Sequence, residues 1–100
     1  GAAVEVMEKN LETPYAIRQL AAQIGTTPRN LEAVFKRHEN TTPTHYYQNL
    51  RLKHARHLIE ETHLPLSVIA QATGFSSQSH FGTCFKALFG MTPAKLRANH

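Results

Sequence analysis

Apolar residues recur along the chain at spacings of three and four, and no stretch alternates between apolar and polar residues. The first spacing is typical of amphipathic α-helices, whereas alternation would indicate strands. Proline and glycine divide this pattern into segments. We therefore predict an all-α fold of about seven helices. The predicted helices cover about residues 2–11, 15–24, 28–39, 43–62, 66–73 and 77–89, with a short last one starting at about residue 93.

Three Thr-Pro pairs mark predicted helix starts, namely Thr27-Pro28, Thr42-Pro43 and Thr92-Pro93. A threonine hydroxyl can accept from a free amide at the start of a helix, and proline is well tolerated at the first helical position. Each pair therefore predicts where one helix begins.

The helix that follows Thr42 is the longest, and it has two apolar faces instead of the single one typical of a surface helix. The two faces are Tyr47, Leu50 and Leu58 on one side and Leu52, Ala55 and Ile59 on the other. Such a helix should contact packed material on two sides. We predict that it connects two lobes.

The chain also contains an internal repeat. Leu20-Ala21 and Gly25 recur 49 residues later as Ile69-Ala70 and Gly74, and Leu31, Phe35-Lys36 and Thr42-Pro43 recur 50 residues later as Phe81, Phe85-Lys86 and Thr92-Pro93. The repeated unit is a short helix, a glycine-containing turn and a second helix with apolar anchors four residues apart, which is the helix-turn-helix pattern. We predict one such lobe in residues 1–42, a connecting helix in 43–63 and a second lobe in 64–100.

The length of the connecting helix suggests a function. About 20 residues span about 30 Å, close to the ~34 Å between major-groove faces on one side of B-DNA. Two recognition helices on one chain could then enter adjacent major grooves. A dimer would not be needed, so we expect a monomer that binds double-stranded DNA without a cofactor.

The charge favours a polyanionic partner. The chain has 11 Lys and Arg against seven acidic residues, a net charge of +4 and a pI near 9.6. All seven acids are glutamate, and none follows Glu61. The alternative is a helical protein-interaction module whose basic surface docks an acidic protein. RNA is less favoured, because no aromatic surface for stacking single-stranded bases is evident.

The repeated segments carry a family resemblance. The stretch "IAQATGFSSQSHFGTCFKALFGMTPAKLR" (residues 69–97), together with "LAAQIGTTPRNLEAVFKR" and "RLKHARHLI", resembles the AraC/XylS-type bacterial transcription regulators. The resemblance covers nearly the whole chain from about Met7. It implies a bipartite all-α DNA-binding domain, usually C-terminal to a sensing or dimerisation domain, in a regulator that works with RNA polymerase. The chain is also similar to the branch whose N-terminal partner is a DJ-1/glutamine-amidotransferase-like domain.

Seven residues on the two predicted recognition helices are candidates for contacting base edges. They are Arg29, Asn30, Glu32 and Ala33 in the first lobe and Gln78, Ser79 and Thr83 in the second. Arginine can pair with guanine, Asn or Gln with adenine, and Glu only with cytosine. Glu32 and Ala33 stand where some family members have Gln and Arg, which weakens base reading by the first lobe. The alternative for Arg29 and Asn30 is contact with phosphates or solvent alone.

Eight residues are candidates for contacting DNA phosphates: Thr27, Lys36, Arg37, Arg51, Ser76, Ser77, His80 and Lys86. Hydroxyls at a helix start can meet a phosphate, but a pure capping role explains at least one of the two serines. Arg51 in the connecting helix can either hold the two lobes together, which is the role we favour, or contact the DNA backbone. His80 is balanced between a DNA contact and a structural role.

The sequence offers no constellation for catalysis. It contains no aspartate and no glycine-rich phosphate loop, and Cys84 lies in an apolar helix, where we expect it to belong to the core. We predict that the protein is not an enzyme and has no catalytic residues. His54, His57 and Glu61 share a helix face, but no further ligand points there, so we predict a solvated face and no metal site.

The same composition bears on location. One cysteine excludes an internal disulfide and fits a reducing compartment. No apolar run approaches the ~18 residues of a membrane helix, so we expect a cytoplasmic protein with no membrane partner. The first methionine is Met7, which fits a piece of a longer protein.

Overall fold

The computed structural model describes residues 1–100 and contains seven α-helices and no strands, so the all-α prediction is confirmed. The helices are α1 (Ala2–Glu8), α2 (Ile17–Gln23), α3 (Pro28–Glu39), α4 (Pro43–Glu61), α5 (Leu66–Ala72), α6 (Gln78–Phe89) and α7 (Pro93–Ala98). The chain divides into two compact units, Gly1–Leu50 and Arg51–His100. We call these unit 1 and unit 2.

Unit 1 has its own hydrophobic core, built by α1, α2, α3 and the first part of α4. The buried residues are Ala3, Met7, Leu20, Ala21, Leu31, Phe35 and Tyr47. Ala21 is fully buried, and a side chain this small permits the close approach of α2 and α3 that a helix-turn-helix needs.

Unit 2 has a second core, built by the rest of α4 with α5, α6 and α7. The buried residues are Leu52, Ala55, Ile59, Ile69, Ala70, Phe75, Phe81, Phe85 and Leu96. Adjacent aromatic rings from Phe75 to Phe81, Phe85 and Phe89 have centroids 5.3, 5.7 and 4.7 Å apart. Cys84, which we expected in the core, is half-buried at its edge.

Helix α4 contributes to both cores, as its two apolar faces predicted. Tyr47 and Leu50 pack in unit 1, whereas Leu52, Ala55 and Ile59 are buried in unit 2. Leu58, which we placed on the same face as Tyr47, packs against the core of unit 2. The reason is its position: eleven residues of helix separate it from Tyr47 by about 16 Å along the axis.

The capping residues behave as predicted from the sequence. Each of the three threonines predicted to start a helix accepts a hydrogen bond from the amide three residues later: Thr27 from Asn30 at 3.1 Å, Thr42 from His45 at 3.1 Å and Thr92 from Lys95 at 3.1 Å. Ser77 does the same for the amide of His80 at 3.2 Å. At the other end of α3, Asn40 adopts a left-handed conformation with φ of 55°.

The ends of the first two helices differ from the prediction. Helix α1 ends at Glu8 instead of about Leu11, and the Asn10 side-chain amide donates to the Val6 carbonyl at 2.7 Å. Helix α2 begins at Ile17 instead of about Tyr15, because Ala16 is extended with ψ of 151° and serves as its N-cap. The Tyr15 amide before the cap donates to the Tyr47 hydroxyl at 3.2 Å.

Candidate nucleic-acid interface

In unit 1, α2, a glycine turn and α3 form a helix-turn-helix. The turn uses Gly25 at φ of +77°, a conformation that residues with a Cβ adopt at a cost. Leu31 and Phe35 are buried against α2, which leaves the opposite side of α3 in solvent. The predicted residues Arg29, Glu32, Ala33, Lys36 and Arg37 are all exposed on α3.

Asn30 is also exposed, but its side chain is turned toward the start of the helix. Its amide nitrogen donates to the Thr26 hydroxyl at 2.7 Å, and its backbone amide is capped by Thr27. One of the two amide hydrogens of Asn30 is thus held by the protein. The other hydrogen and the amide oxygen are what this side chain can offer a partner.

Glu32 and Lys36 line one open cleft of about 550 Å³, together with His45 and the segment Asn40–Thr42. The cleft places a carboxylate one helical turn from an ammonium group on the exposed side of α3. Attraction of Lys36 to a phosphate would therefore be opposed by Glu32.

Unit 2 repeats this arrangement with different side chains. The turn uses Gly74 at φ of +84°, Ser77 caps α6, and Phe81 and Phe85 are buried. The predicted residues Ser76, Gln78, Ser79, Thr83 and Lys86 are all exposed. The Thr83 hydroxyl donates to the Ser79 carbonyl at 3.1 Å, which leaves its oxygen as an acceptor.

The structure shows contacts of His80, whose role the sequence did not decide. Its ring lies 5.8 Å from the ring of Phe75, and its nitrogens lie 3.7 and 3.8 Å from the Cys84 sulfur. The residue is nevertheless exposed at the start of α6. His80 thus packs against the turn and retains an accessible edge.

Arg51, predicted as either a structural residue or a phosphate contact, is half-buried within unit 2. Its Nη1 donates to the carbonyls of Thr73 at 3.4 Å and Gly74 at 3.0 Å, and its guanidinium lies 4.6 Å from the centroid of the Phe75 ring. Arg51 therefore fastens the turn between α5 and α6 to α4. These contacts are those of a structural residue.

Two further positioning residues were not predicted. The Tyr47 hydroxyl donates to the Asn10 carbonyl at 2.5 Å and accepts from Tyr15, and so fixes the segment that leads into α2. Arg97, at the matching position 50 residues later, donates to the carbonyls of Ile59, Thr62 and Leu64 before α5. The internal repeat was the signal that could have paired these two residues.

The structure assembles no candidate metal site. The structure contains no group of three His, Cys, Asp or Glu side chains placed to hold a metal ion. His54 and His57 stack with ring centroids 6.5 Å apart on exposed helix surface. None of the seven helices combines the length and hydropathy that crossing a bilayer requires.

Comparison with known proteins decides the family. The helix-turn-helix domain family matches residues 20–99. A crystal structure from Chromobacterium violaceum, of a transcriptional regulator among the AraC-type DNA-binding domain-containing proteins, is 39% identical with a TM-score of 0.94 and is aligned over 98% of this chain and 88% of its own. The chain belongs to the AraC-type helix-turn-helix family.

Other relatives of this AraC-type domain are transcriptional regulators. It is 42% identical to the HTH-type transcriptional regulator GlxA of Rhizobium meliloti (strain 1021) over 96 residues. These residues are 96% of this chain and 30% of that protein. The AraC-type domain thus spans less than a third of that relative. Its fold also matches the DNA-binding domain of AdpA in complex with a target DNA, with a TM-score of 0.91 at 23% identity over 97% of this chain and 87% of that one.

Proposed function

We propose that this chain binds double-stranded DNA in a sequence-specific manner, as the DNA-binding part of a bacterial transcription regulator. The observation that carries the proposal is the duplicated helix-turn-helix, in which α3 and α6 each bury one face and expose a polar face. Proteins similar to this chain include transcriptional regulators, and its fold matches that of a domain crystallised with its target DNA.

The exposed faces of α3 and α6 would enter adjacent major grooves. Helix α4 supports this proposal, because its 19 residues correspond to about 28 Å of helix, against ~34 Å between successive grooves. In this proposal residues 1–42 and 64–100 act as the two DNA-binding lobes and residues 43–63 as the connector.

Base discrimination is proposed for Arg29, Asn30, Glu32, Ala33, Gln78, Ser79 and Thr83. Gln78 is exposed at the first position of α6, where an amide can both donate to and accept from adenine. Asn30 would use the amide hydrogen and oxygen that Thr26 leaves available. Since Glu32 can only accept, it would favour cytosine.

Attraction to phosphates is proposed for Lys36, Arg37 and Lys86, with Thr27, Ser76, Ser77 and His80 at the helix starts. Thr27 and Ser77 already accept one amide hydrogen bond each. Arg51 would contribute its charge at a distance, because its guanidinium donates to main-chain carbonyls in the turn.

The longer protein would carry further functions. We propose a DJ-1/glutamine-amidotransferase-like sensing domain, on the similarity to that branch, and RNA polymerase as a partner. The AraC-type domain itself would bind DNA as a monomer in the cytoplasm and catalyse no reaction. Sequencing the complete gene tests for the sensing domain. Analytical ultracentrifugation tests the monomeric state, and sedimentation of the domain as a dimer would refute it.

DNA binding is tested by titrating a labelled duplex with the protein at several salt concentrations. Neutralisation of phosphates predicts that the logarithm of the association constant falls linearly and steeply with the logarithm of salt concentration. The alternative, a protein-interaction module with a basic surface, predicts that no duplex is preferred over another. Equal affinity for unrelated duplexes would favour that alternative.

A further inference from the structure

Gly82 lies in the interior of α6, where neither packing nor backbone conformation requires glycine. Its φ is not positive, in contrast to that of Gly74 in the preceding turn. A methyl group added at its Cα would have no atom within 4 Å apart from its chain neighbours and the nearby backbone of α6 itself. Because glycine destabilises a helix interior relative to alanine, the fold alone would favour alanine here. A requirement outside the fold of this chain would explain the residue.

Gly82 lines a recess of about 120 Å³ beside α6. Gln78, one turn earlier on the same helix, stands at its edge. The remaining wall is mainly apolar and includes Leu66, Phe81, Pro93 and Ala94. The recess therefore suits a small apolar group that projects from a partner next to a group that pairs with the Gln78 amide.

The charge of unit 2 indicates what kind of partner carries that group. Unit 2 contains six Lys and Arg against two Glu, whereas unit 1 has five of each. No acidic side chain follows Glu61. The partner of this surface should therefore be a polyanion, and in the major groove of DNA the apolar group among the base edges is the C5-methyl of thymine.

We propose that the recess at Gly82 receives a thymine methyl group beside the base pair that Gln78 contacts. This inference rests on the proposed DNA binding and adds Gly82 to it as a specificity-determining residue. A Cβ at this position would occupy the space of the methyl group. Gly82 is thus kept at a cost in helix stability because DNA approaches the helix there.

The test combines Gly82→Ala with removal of the thymine methyl from the DNA. A duplex selected by the wild-type protein is prepared with each thymine replaced singly by deoxyuridine, and dissociation constants are measured for both proteins. One substituted position should weaken wild-type binding by about fourfold, which is the value of one buried methyl-sized group. On the thymine duplex, Gly82→Ala should bind about tenfold more weakly than the wild type. On the deoxyuridine duplex that weakens wild-type binding, this difference between the two proteins should largely disappear.

Urea denaturation of both proteins provides the folding control. Gly82→Ala should unfold at a higher urea concentration than the wild type, since alanine is the better helix former. Higher stability with weaker binding cannot come from damage to the fold. Equal affinity of both proteins for the selected duplex would overturn the inference and leave the proposed function intact. A penalty that is the same on every deoxyuridine duplex would also overturn it, and failure to select any duplex would overturn both.

Discussion

At the scale of single residues, several cationic side chains stabilise the fold through contacts within the protein. Arg51 donates to two carbonyls in the turn before α6, and Arg97 donates to three carbonyls before α5. Arg56 lies 4.9 Å from the Phe89 ring centroid and 3.4 Å from Glu60. The sequence allowed a structural role for Arg51, but it could not identify the carbonyls that Arg51 and Arg97 bind, because these lie 22 to 38 residues away.

Replacement of Arg51 by methionine should destabilise unit 2. The substitution removes charge-assisted hydrogen bonds and the contact with Phe75, so we expect unfolding to become easier by about 2 kcal/mol. Arg51→Lys keeps the charge without the planar guanidinium, so its stability should lie between that of the wild type and that of the methionine variant. Urea denaturation measures the effect. Unchanged stability with a shallower salt dependence of DNA binding would instead assign Arg51 to a phosphate.

The exposed residues of α6 should divide into two functional classes. Gln78→Ala should relax the preference at particular base pairs, because it removes a group that donates and accepts. Lys86→Ala should weaken binding to all duplexes alike and reduce the salt slope by about one. Competition titrations with single-base variants of a selected duplex separate the two effects. Identical behaviour of the two variants would contradict these assignments.

At the scale of elements, local sequence determined the helices whose ends carry capping residues. The bounds of α3 agree with the prediction, since Thr27 starts the helix and Asn40 ends it in a left-handed conformation. The ends of α1 and α2 were wrong by two or three residues. There Asn10 and Tyr15 bond to Val6 and Tyr47, and the second of these partners is distant in the chain. Local patterns cannot encode such a contact.

The two serines before α6 provide a matched pair for testing capping. Ser77 accepts from the His80 amide at 3.2 Å, whereas Ser76 lies one residue outside the cap. Ser77→Ala should cost about 1 kcal/mol of stability, and Ser76→Ala should cost little. Thermal unfolding of both variants measures the difference. Equal losses from the two substitutions would show that the cap on α6 contributes nothing of its own.

The candidate site was predictable as a set of exposed positions and not as a set of orientations. The helical period placed Arg29, Gln78 and Lys86 on the solvent side, where the structure has them. The side chain of Asn30 turns back to Thr26, and that of His80 lies against Phe75. These orientations depend on the turn geometry, which residue spacing does not specify.

At the scale of the whole molecule, the charge is distributed unequally between the units. Unit 1 carries equal numbers of cationic and acidic residues, and unit 2 holds the entire net charge of +4. In our proposal, unit 2 therefore supplies most of the long-range attraction to DNA. Unit 1 would contribute mainly through contacts at the surface of α3.

Removal of an acid from α3 should strengthen this weaker side. Glu32→Gln should raise affinity for most duplexes severalfold at low salt, because it removes a carboxylate from the face that meets phosphates. Glu12→Gln makes the same charge change on an exposed residue outside the helices and serves as the control. Titrations at two salt concentrations measure both variants. Equal gains from the two substitutions would mean that α3 does not face DNA.

Selection from a pool of random duplexes by the purified domain tests whether the two recognition helices bind DNA in a sequence-specific manner. We expect enrichment of one sequence with two blocks of preferred bases about 10 base pairs apart, the spacing of adjacent major-groove faces. Recovery of no enriched sequence, or equal affinity for selected and random duplexes at moderate salt, would contradict it.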